Sequence, residues 1–348
     1  MPEPTKPHKR RQRYSGKNPR RFADKYKELD PDLDPETIAK VIASGKTPAG
    51  QHRPILVDEI LAFLDPQPGQ RGADVTLGYG GHTQAILEKL APTGQLLALD
   101  VDSQQLPKTG ARLRKLGYTE EILTVRQSNY AGLSKTLTTI GWHDGLDFLL
   151  ADFGLSSMQI DNPDRGFSYK HDGPLDMRMT PDRGAPASDW IANTNQKKLA
   201  RTLAEGGDEP HAKPIAAAIK QSTDPITTTR QLRHIIQSAL PTELDDDARA
   251  TTVARVFQAV RIAVNGEFTA IDAFLTQLPN CLRPGARVAV LTFHSGEDRR
   301  VKHHFREAHR AGLYSAITQK IIRPTPAEIA SNPRAAPAKL RHATRSPE

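Results

Sequence analysis

Strand-like and helix-like segments alternate through residues 73–152 with short connections, and that rhythm leaves the chain few architectures. Ala73–Leu77, Gln95–Asp100, Ile122–Val125 and Leu146–Asp152 are mostly apolar runs of strand length. Thr83–Leu90, Gln104–Leu116 and Gly132–Ile140 lie between them with helical character. Ahead of the first strand, Val57, Ile60, Leu61 and Leu64 fall at i, i+3, i+4 and i+7, one face of a helix. Strands joined through helices run parallel and need cover on both faces, so a parallel sheet wrapped by helices is predicted.

The rhythm breaks near residue 157. From there to about residue 250 the chain holds a loop rich in Gly, Pro and Asp and several helix-like stretches, without a buried strand. It resumes with helices near Thr252–Val264 and Phe268–Cys281, the turn Arg283-Pro284-Gly285 and the strand Arg287–Phe293. A helix from Glu297, a strand-like Tyr314–Ile322 and a basic, Pro-containing tail follow. The economical reading is an α/β, doubly wound domain of residues 51–158 and 251–348, interrupted by a helical insertion over 159–250. Residues 1–50 read as a basic, flexible extension with at most a short helix, Asp34–Ala43.

The net charge of +8 is unevenly spread. Lys6 to Arg21 holds eight Lys/Arg and no acid, and Arg299 to Arg345 holds eleven against Glu307 and Glu328. These tracts carry +8 and +9, so the rest of a +8 chain is net −9. Basic ends on an acidic body suit an electrostatic hold on a polyanion, each phosphate contact releasing counterions. The N-terminal tract reads equally as a solvated tail, and it lacks the apolar residues a membrane surface would need. Cys281 is alone, which excludes an internal disulfide and points to a reducing compartment. No run approaches the roughly 20 apolar residues of a membrane span, and no apolar stretch follows the positive N-terminus as in a secretory signal. The cytoplasm is the expected location.

The chemistry gathers at the ends of the predicted strands. Gly78-Tyr79-Gly80-Gly81-His82-Thr83 forms the first strand-to-helix turn, where glycines admit a ligand close to the backbone and the helix start offers free N–H groups. Nineteen residues after Gly81 the second strand ends in Asp100, well placed to accept hydrogen bonds from ribose hydroxyls. These features suit a nucleotide-type ligand and are compatible with a nicotinamide dinucleotide. The Gly-x-Gly-Gly spacing departs from the dinucleotide fingerprint and favours a methyltransferase. Asp152 ends the fourth strand beside the same crevice. The dense loop Asp164-Arg165-Gly166-Phe167-Ser168-Tyr169 through Asp176-Met177-Arg178-Met179 follows, and a loop of this length and composition is usually functional. Phe293 and His294, at the end of the fifth strand, are expected to line the substrate pocket. Ser295 is the expected cap of the next helix, with Asp298 completing a capping box. Nothing pairs His or Cys at metal-ligand spacing, so no metal is predicted.

Taken together, HRPILVDEIL, DVTLGYGGHT, LALDVD, ADFGLSSMQIDNPDRGFSYKHDGPLDMRM, VFQAVRIAVNGE and PGARVAVLTFHSGEDRRVKHHF resemble the bacterial family of ribosomal RNA small-subunit methyltransferase H, also called MraW. With IIRPTPAEIASNPRAAPAKLR, the likeness runs in order from about residue 52 to 341. It implies a Rossmann-like S-adenosylmethionine-dependent methyltransferase fold with an inserted helical domain for substrate recognition. The implied reaction is methylation of N4 of a cytosine in the decoding region of 16S rRNA, within the small ribosomal subunit. The resemblance assigns cofactor contacts to Gly80, Gly81 and His82, to Asp100 at the ribose, to Tyr130 near the adenine, and to Asp152 and Gln159. Four departures stand out. Gly296 and Tyr79 replace a usual Leu and Arg, Thr180 stands where Asp is common, and Pro210 and Pro214 interrupt a helix-compatible stretch.

The N4 amine is a weak nucleophile because its lone pair is delocalised into the ring. An enzyme acting on it needs in-line positioning and an acceptor for the amine hydrogens. Asp152 is expected to position the amine, with His294 or a backbone carbonyl taking a proton. The base must leave its stack, and Phe153, Phe167, Tyr169 and Phe293 are the candidate stacking partners. A paralogue acting on another RNA, a non-catalytic ribosome-assembly factor and a nicotinamide-dependent oxidoreductase are the competing readings.

Overall fold

The computed structural model describes residues 54–347; the N-terminal basic tract and the helix expected over Asp34–Ala43 lie outside the described residues. Helix α1 (Val57–Leu64) leads into β1 (Arg71–Asp74), α2 (Gly81–Leu90), β2 (Gln95–Asp100), α3 (Gln105–Lys115) and β3 (Leu123–Gln127). Then come α4 (Leu133–Thr139) and β4 (Leu146–Asp152). After a long excursion, α11 (Glu267–Gln277), β5 (Leu282–Thr292), α12 (Ser295–Arg310), β6 (Tyr314–Ile317) and β7 (Lys339–Arg345) complete the sheet. The seven strands lie in the order β3-β2-β1-β4-β5-β7-β6. The first five in that row pair in parallel, and β7 runs antiparallel to both β5 and β6. This is the predicted doubly wound, Rossmann-like α/β architecture.

The two-residue period of the strands divides their side chains between two cores. Leu97, Leu99, Leu149, Ala151, Val288 and Val290 join α4, α11 and α12 on one face. Their neighbours Leu96, Ala98, Phe148, Leu150, Ala289 and Leu291 join α1, α2 and α3 on the other. Burial of both faces explains why these strands read as apolar runs rather than as alternating ones. Gly72 on β1 lies opposite Phe148 on β4, and a Cβ there would fall 2.0 Å from the Phe148 ring. The absent side chain is the space the Phe occupies.

Between β4 and β5 the chain forms α5 (Ser157–Asp161), α6 (Ala187–Asn193), α7 (Gln196–Gly207), α8 (Ala212–Gln221), α9 (Thr229–Ser238) and α10 (Asp246–Asn265). Leu203, Ile215, Leu232, Ile236, Val256 and Val260 belong to a buried cluster separate from the two sheet cores. That cluster includes Phe167, Leu175 and Met177 of the dense loop, and through Val260 it runs past the expected boundary at residue 250. Pro214 fits a helix because α8 begins at Ala212, so the ring occupies the first turn, where no backbone N–H is needed.

Two local expectations are corrected. The C-terminal segment is no tail: Lys339–Arg345 inserts as a strand between β5 and β6. Its basic residues hide the strand pattern, yet Arg341 is 7% exposed because Asp298 on α12 answers its charge at 2.6 Å. The cap of α12 is His294 rather than Ser295, and the residue three positions on is Glu297 rather than Asp298. Among the described residues, no helix is long and apolar enough to cross a membrane.

Candidate functional site

β1 and β4 are neighbours whose chain connections leave in opposite directions, so a crevice opens at their carboxyl ends. Three sequence-predicted elements meet there: the Gly78–Gly81 turn after β1, Asp100 at the end of β2 and Asp152 at the end of β4. The turn is tied to β2 because the Gly78 N–H donates to Asp100 Oδ2 at 2.7 Å. Asp100 Oδ1 accepts the Asp102 N–H at 2.9 Å. Each carboxylate oxygen has thus taken one donor and keeps acceptor capacity. Burial raises the Asp100 pKa, the mark of a carboxylate short of solvation. Gly80 adopts φ 76°, and a Cβ there would meet Thr109 at 2.9 Å, so both conformation and space require glycine.

Asp152 is half-buried, and its N–H donates to the Thr76 hydroxyl at 2.7 Å. Its Oδ2 lies 3.4 Å from His82 Nδ1, while His82 Nε2 lies 2.9 Å from the Ile55 carbonyl. Burial works against a charged His82, but the bond to Asp152 and the charges of Asp152 and Asp74 outweigh it, and the imidazole pKa is raised. Asp74, beneath the turn, accepts from Thr83 at 2.6 Å and Thr76 at 3.0 Å; burial raises its pKa.

Gln159 turns inward. Its Oε1 accepts the Ser156 N–H at 2.9 Å in a capping box on α5, and its Nε2 donates to Asp102 Oδ2 at 2.7 Å. Asp102 was not singled out from the sequence, although it follows Asp100 in Leu-Asp-Val-Asp. It is 1% exposed, and its Oδ2 also accepts from Arg165 at 2.9 Å. Arg165 in turn donates to the carbonyls of Arg178 and Met179. One buried carboxylate therefore fastens the β2 end, α5 and the dense loop together.

Tyr130 packs against Phe153 at 5.1 Å and Phe274 at 5.6 Å between ring centroids, and burial raises its phenol pKa. Phe153 is 2% exposed in the sheet core and Phe167 8% exposed in the helical cluster, so neither offers a face to a base. Tyr169 leans edge-on against Phe257. Phe293 is the half-buried ring of the four that stands at the strand edge, beside Gly154.

His294 is largely buried. Its Nδ1 accepts the Glu297 N–H at 3.4 Å and its Nε2 lies 3.1 Å from Glu297 Oε1. Glu297 Oε2 accepts the N–H groups of Phe293 and His294. Burial opposes its ionisation, but His294 and Arg261 overcome that and lower its pKa. Glu267, His294 and Glu297 bring metal-ligand atom types within 4.8 Å of one another. The Arg261 guanidinium is bonded to both Glu267 oxygens at 2.8 and 2.9 Å. Gly296 has a local cause: a Cβ would fall 2.5 Å from the Phe268 ring, which itself lies under Arg300 at 3.7 Å. Tyr79, another departure, lies under the Arg112 guanidinium at 5.2 Å.

The profile described as the MraW methylase family matches residues 49–346. The chain is 47% identical over 347 residues to Ribosomal RNA small subunit methyltransferase H 1 of Agathobacter rectalis, covering 98% of this chain and 99% of that one. It is 48% identical over 344 residues to Ribosomal RNA small subunit methyltransferase H 2 of Alkaliphilus metalliredigens, with 97% of each chain covered. Against Ribosomal RNA small subunit methyltransferase H of Nitratidesulfovibrio vulgaris the identity is 40% over 337 residues, 91% of this chain and 92% of the other.

Proposed function

Because the chain belongs to the MraW methylase family, we propose that it methylates the N4 amine of a cytosine in 16S rRNA of the small ribosomal subunit, using S-adenosylmethionine. The observation that carries this reading is the crevice between β1 and β4, with Asp100 on one side and Asp152 on the other. The bonding of Asp100 fits the cofactor. A desolvated carboxylate with acceptor capacity left on both oxygens is what two ribose hydroxyls would satisfy. Gly80 and Gly81 keep side chains off the turn, and Tyr130 supplies an aromatic surface after β3 for the adenine. The cofactor supplies a methyl group on a sulfonium, a strong electrophile.

The protein's share is positioning and proton handling. Asp152 Oδ1 has no partner among the described residues and is the acceptor for an amine hydrogen; Oδ2 is held by His82. That contact draws electron density toward the amine nitrogen and orients its lone pair. His294 serves a different purpose. With Nδ1 accepting from the helix and Nε2 facing Glu297, it shapes the strand end and leaves proton acceptance to Asp152. His82 and Gln159 spend their ring and amide atoms on protein partners, so they act as positioning residues behind Asp152 and Asp102. Phe293 is the stacking surface for the extruded base. This reading implies a cytoplasmic enzyme that meets its RNA in the small subunit.

The test is incubation with methyl-labelled S-adenosylmethionine and small ribosomal subunits, followed by digestion to nucleosides and mass spectrometry. Label in N4-methylcytidine is expected. Label in another nucleoside, or none, overturns the proposal.

A further inference from the structure

The basic C-terminal region sorts into two groups once its partners are traced. Lys339 and Arg341 are committed to Asp298, Arg334 to Asp161 and Arg299 to Asp208. Arg300, Arg310 and Arg345 likewise have partners inside the fold. The side chains of Lys302, Arg306, Lys320 and Arg323 make no ion pair or hydrogen bond among the described residues. Three of these four, Lys302, Arg306 and Lys320, line one cavity of about 290 Å³ between α12 and the segment after β6. Phe305 and Ile317 contribute apolar wall. Arg341 also reaches the cavity, but its charge is already answered.

The cavity opens near the chemistry. Asp152 pairs with Leu291, Leu291 with Leu340, and Leu340 with Ile322. One row of residues therefore crosses the sheet from the proposed catalytic carboxylate to a position two residues past Lys320. Three strand spacings separate the ends of that row, about 14 Å. This is within reach of a phosphate a few nucleotides from an extruded base.

We propose that this cavity seats a backbone phosphate of the RNA strand being modified. The inference rests on the RNA-methylating reading above and adds where the strand is held. Three cations without internal counter-charges repel one another, and a phosphodiester relieves that repulsion while shedding its own counterions. The paired cations nearby contribute less, because the charge of an arginine bonded to Asp298 is already largely answered.

The test compares the full-length protein with K302Q/R306Q/K320Q and with K89Q/K108Q/K115Q. The second variant removes three unpaired, exposed lysines from the α2–α3 side of the sheet. Binding to a single-stranded RNA oligonucleotide of small-subunit rRNA sequence is measured across a salt series, with S-adenosylmethionine affinity as a check of folding. The cavity variant is expected to flatten the log–log slope by roughly 0.7, the value of one single-strand phosphate contact. Its low-salt affinity should fall by about tenfold or more, while the control keeps the wild-type slope. Equal slopes for the cavity variant and wild type, or an equal loss in the control, overturn the phosphate seat. Methyl transfer by the wild type, assayed alongside, separates the two readings. An active wild type with an unchanged cavity slope removes only the seat, whereas a wild type that methylates no RNA removes the functional reading beneath it.

Discussion

His82 bridges the chain before α1 and the carboxyl edge of the sheet, with Nε2 2.9 Å from the Ile55 carbonyl and Nδ1 3.4 Å from Asp152 Oδ2. A carbonyl only accepts, so Nε2 carries a hydrogen. A carboxylate opposite Nδ1 then favours a second proton, and with it an imidazolium paired with Asp152. Its raised pKa has a definite consequence for pH. Stabilisation from the pair is complete below the unfolded value of about 6.5 and is lost as pH rises through the higher folded value. His82→Gln should therefore cost about 1–3 kcal/mol at pH 6 and progressively less in alkaline buffer. Thermal melts of both proteins from pH 6 to pH 9 measure this, and a constant difference would refute the ion pair.

Asp100 makes a separable prediction. Asp100→Ala should weaken S-adenosylmethionine binding by about 1.5–3 kcal/mol, the scale of hydrogen bonds to a charged group. Asp100→Asn should lose less, because its amide oxygen still accepts from Gly78 or a hydroxyl. Calorimetry that finds wild-type affinity in a folded Ala variant would remove Asp100 from the cofactor site.

For Asp152, substitution by Ala should lower kcat by about 10²–10⁴, the range of a lost acid–base group, without loss of the folded state. Single-turnover methyl transfer separates chemistry from binding. Near-wild-type turnover would shift proton acceptance back to His294.

Gly296 and Phe268 should behave as one unit. Gly296→Ala drives a Cβ into the Phe268 ring and should cost about 1–3 kcal/mol. Phe268→Leu should recover part of that in the double variant, since residues in contact are non-additive. Denaturant titration of the four proteins closes the cycle. Strict additivity would mean that Phe268 is not the reason for the glycine.

Much of this molecule was legible without coordinates. Strands buried on both faces must be apolar throughout, so Leu96–Leu99 and Leu146–Ala151 announced themselves, and short connections forced parallel pairing. A carboxylate directly after such a run must lie at the sheet edge, which located Asp100 and Asp152. These are local facts, set by periodicity and by the end of an apolar run. What only the tertiary structure decided depends on which residues meet across long separations. Asp102 became the hub because Gln159 and Arg165, 57 and 63 residues away, turn toward it. Phe153 and Phe167 became core rather than stacking surface because Phe274 and the helical cluster close over them. Lys339–Arg345 became a strand because Asp298 compensates the arginine that the sheet buries. In one dimension eleven basic residues look alike; the fold supplies counter-charges to some and not to others, and electrostatic energy depends on that distance.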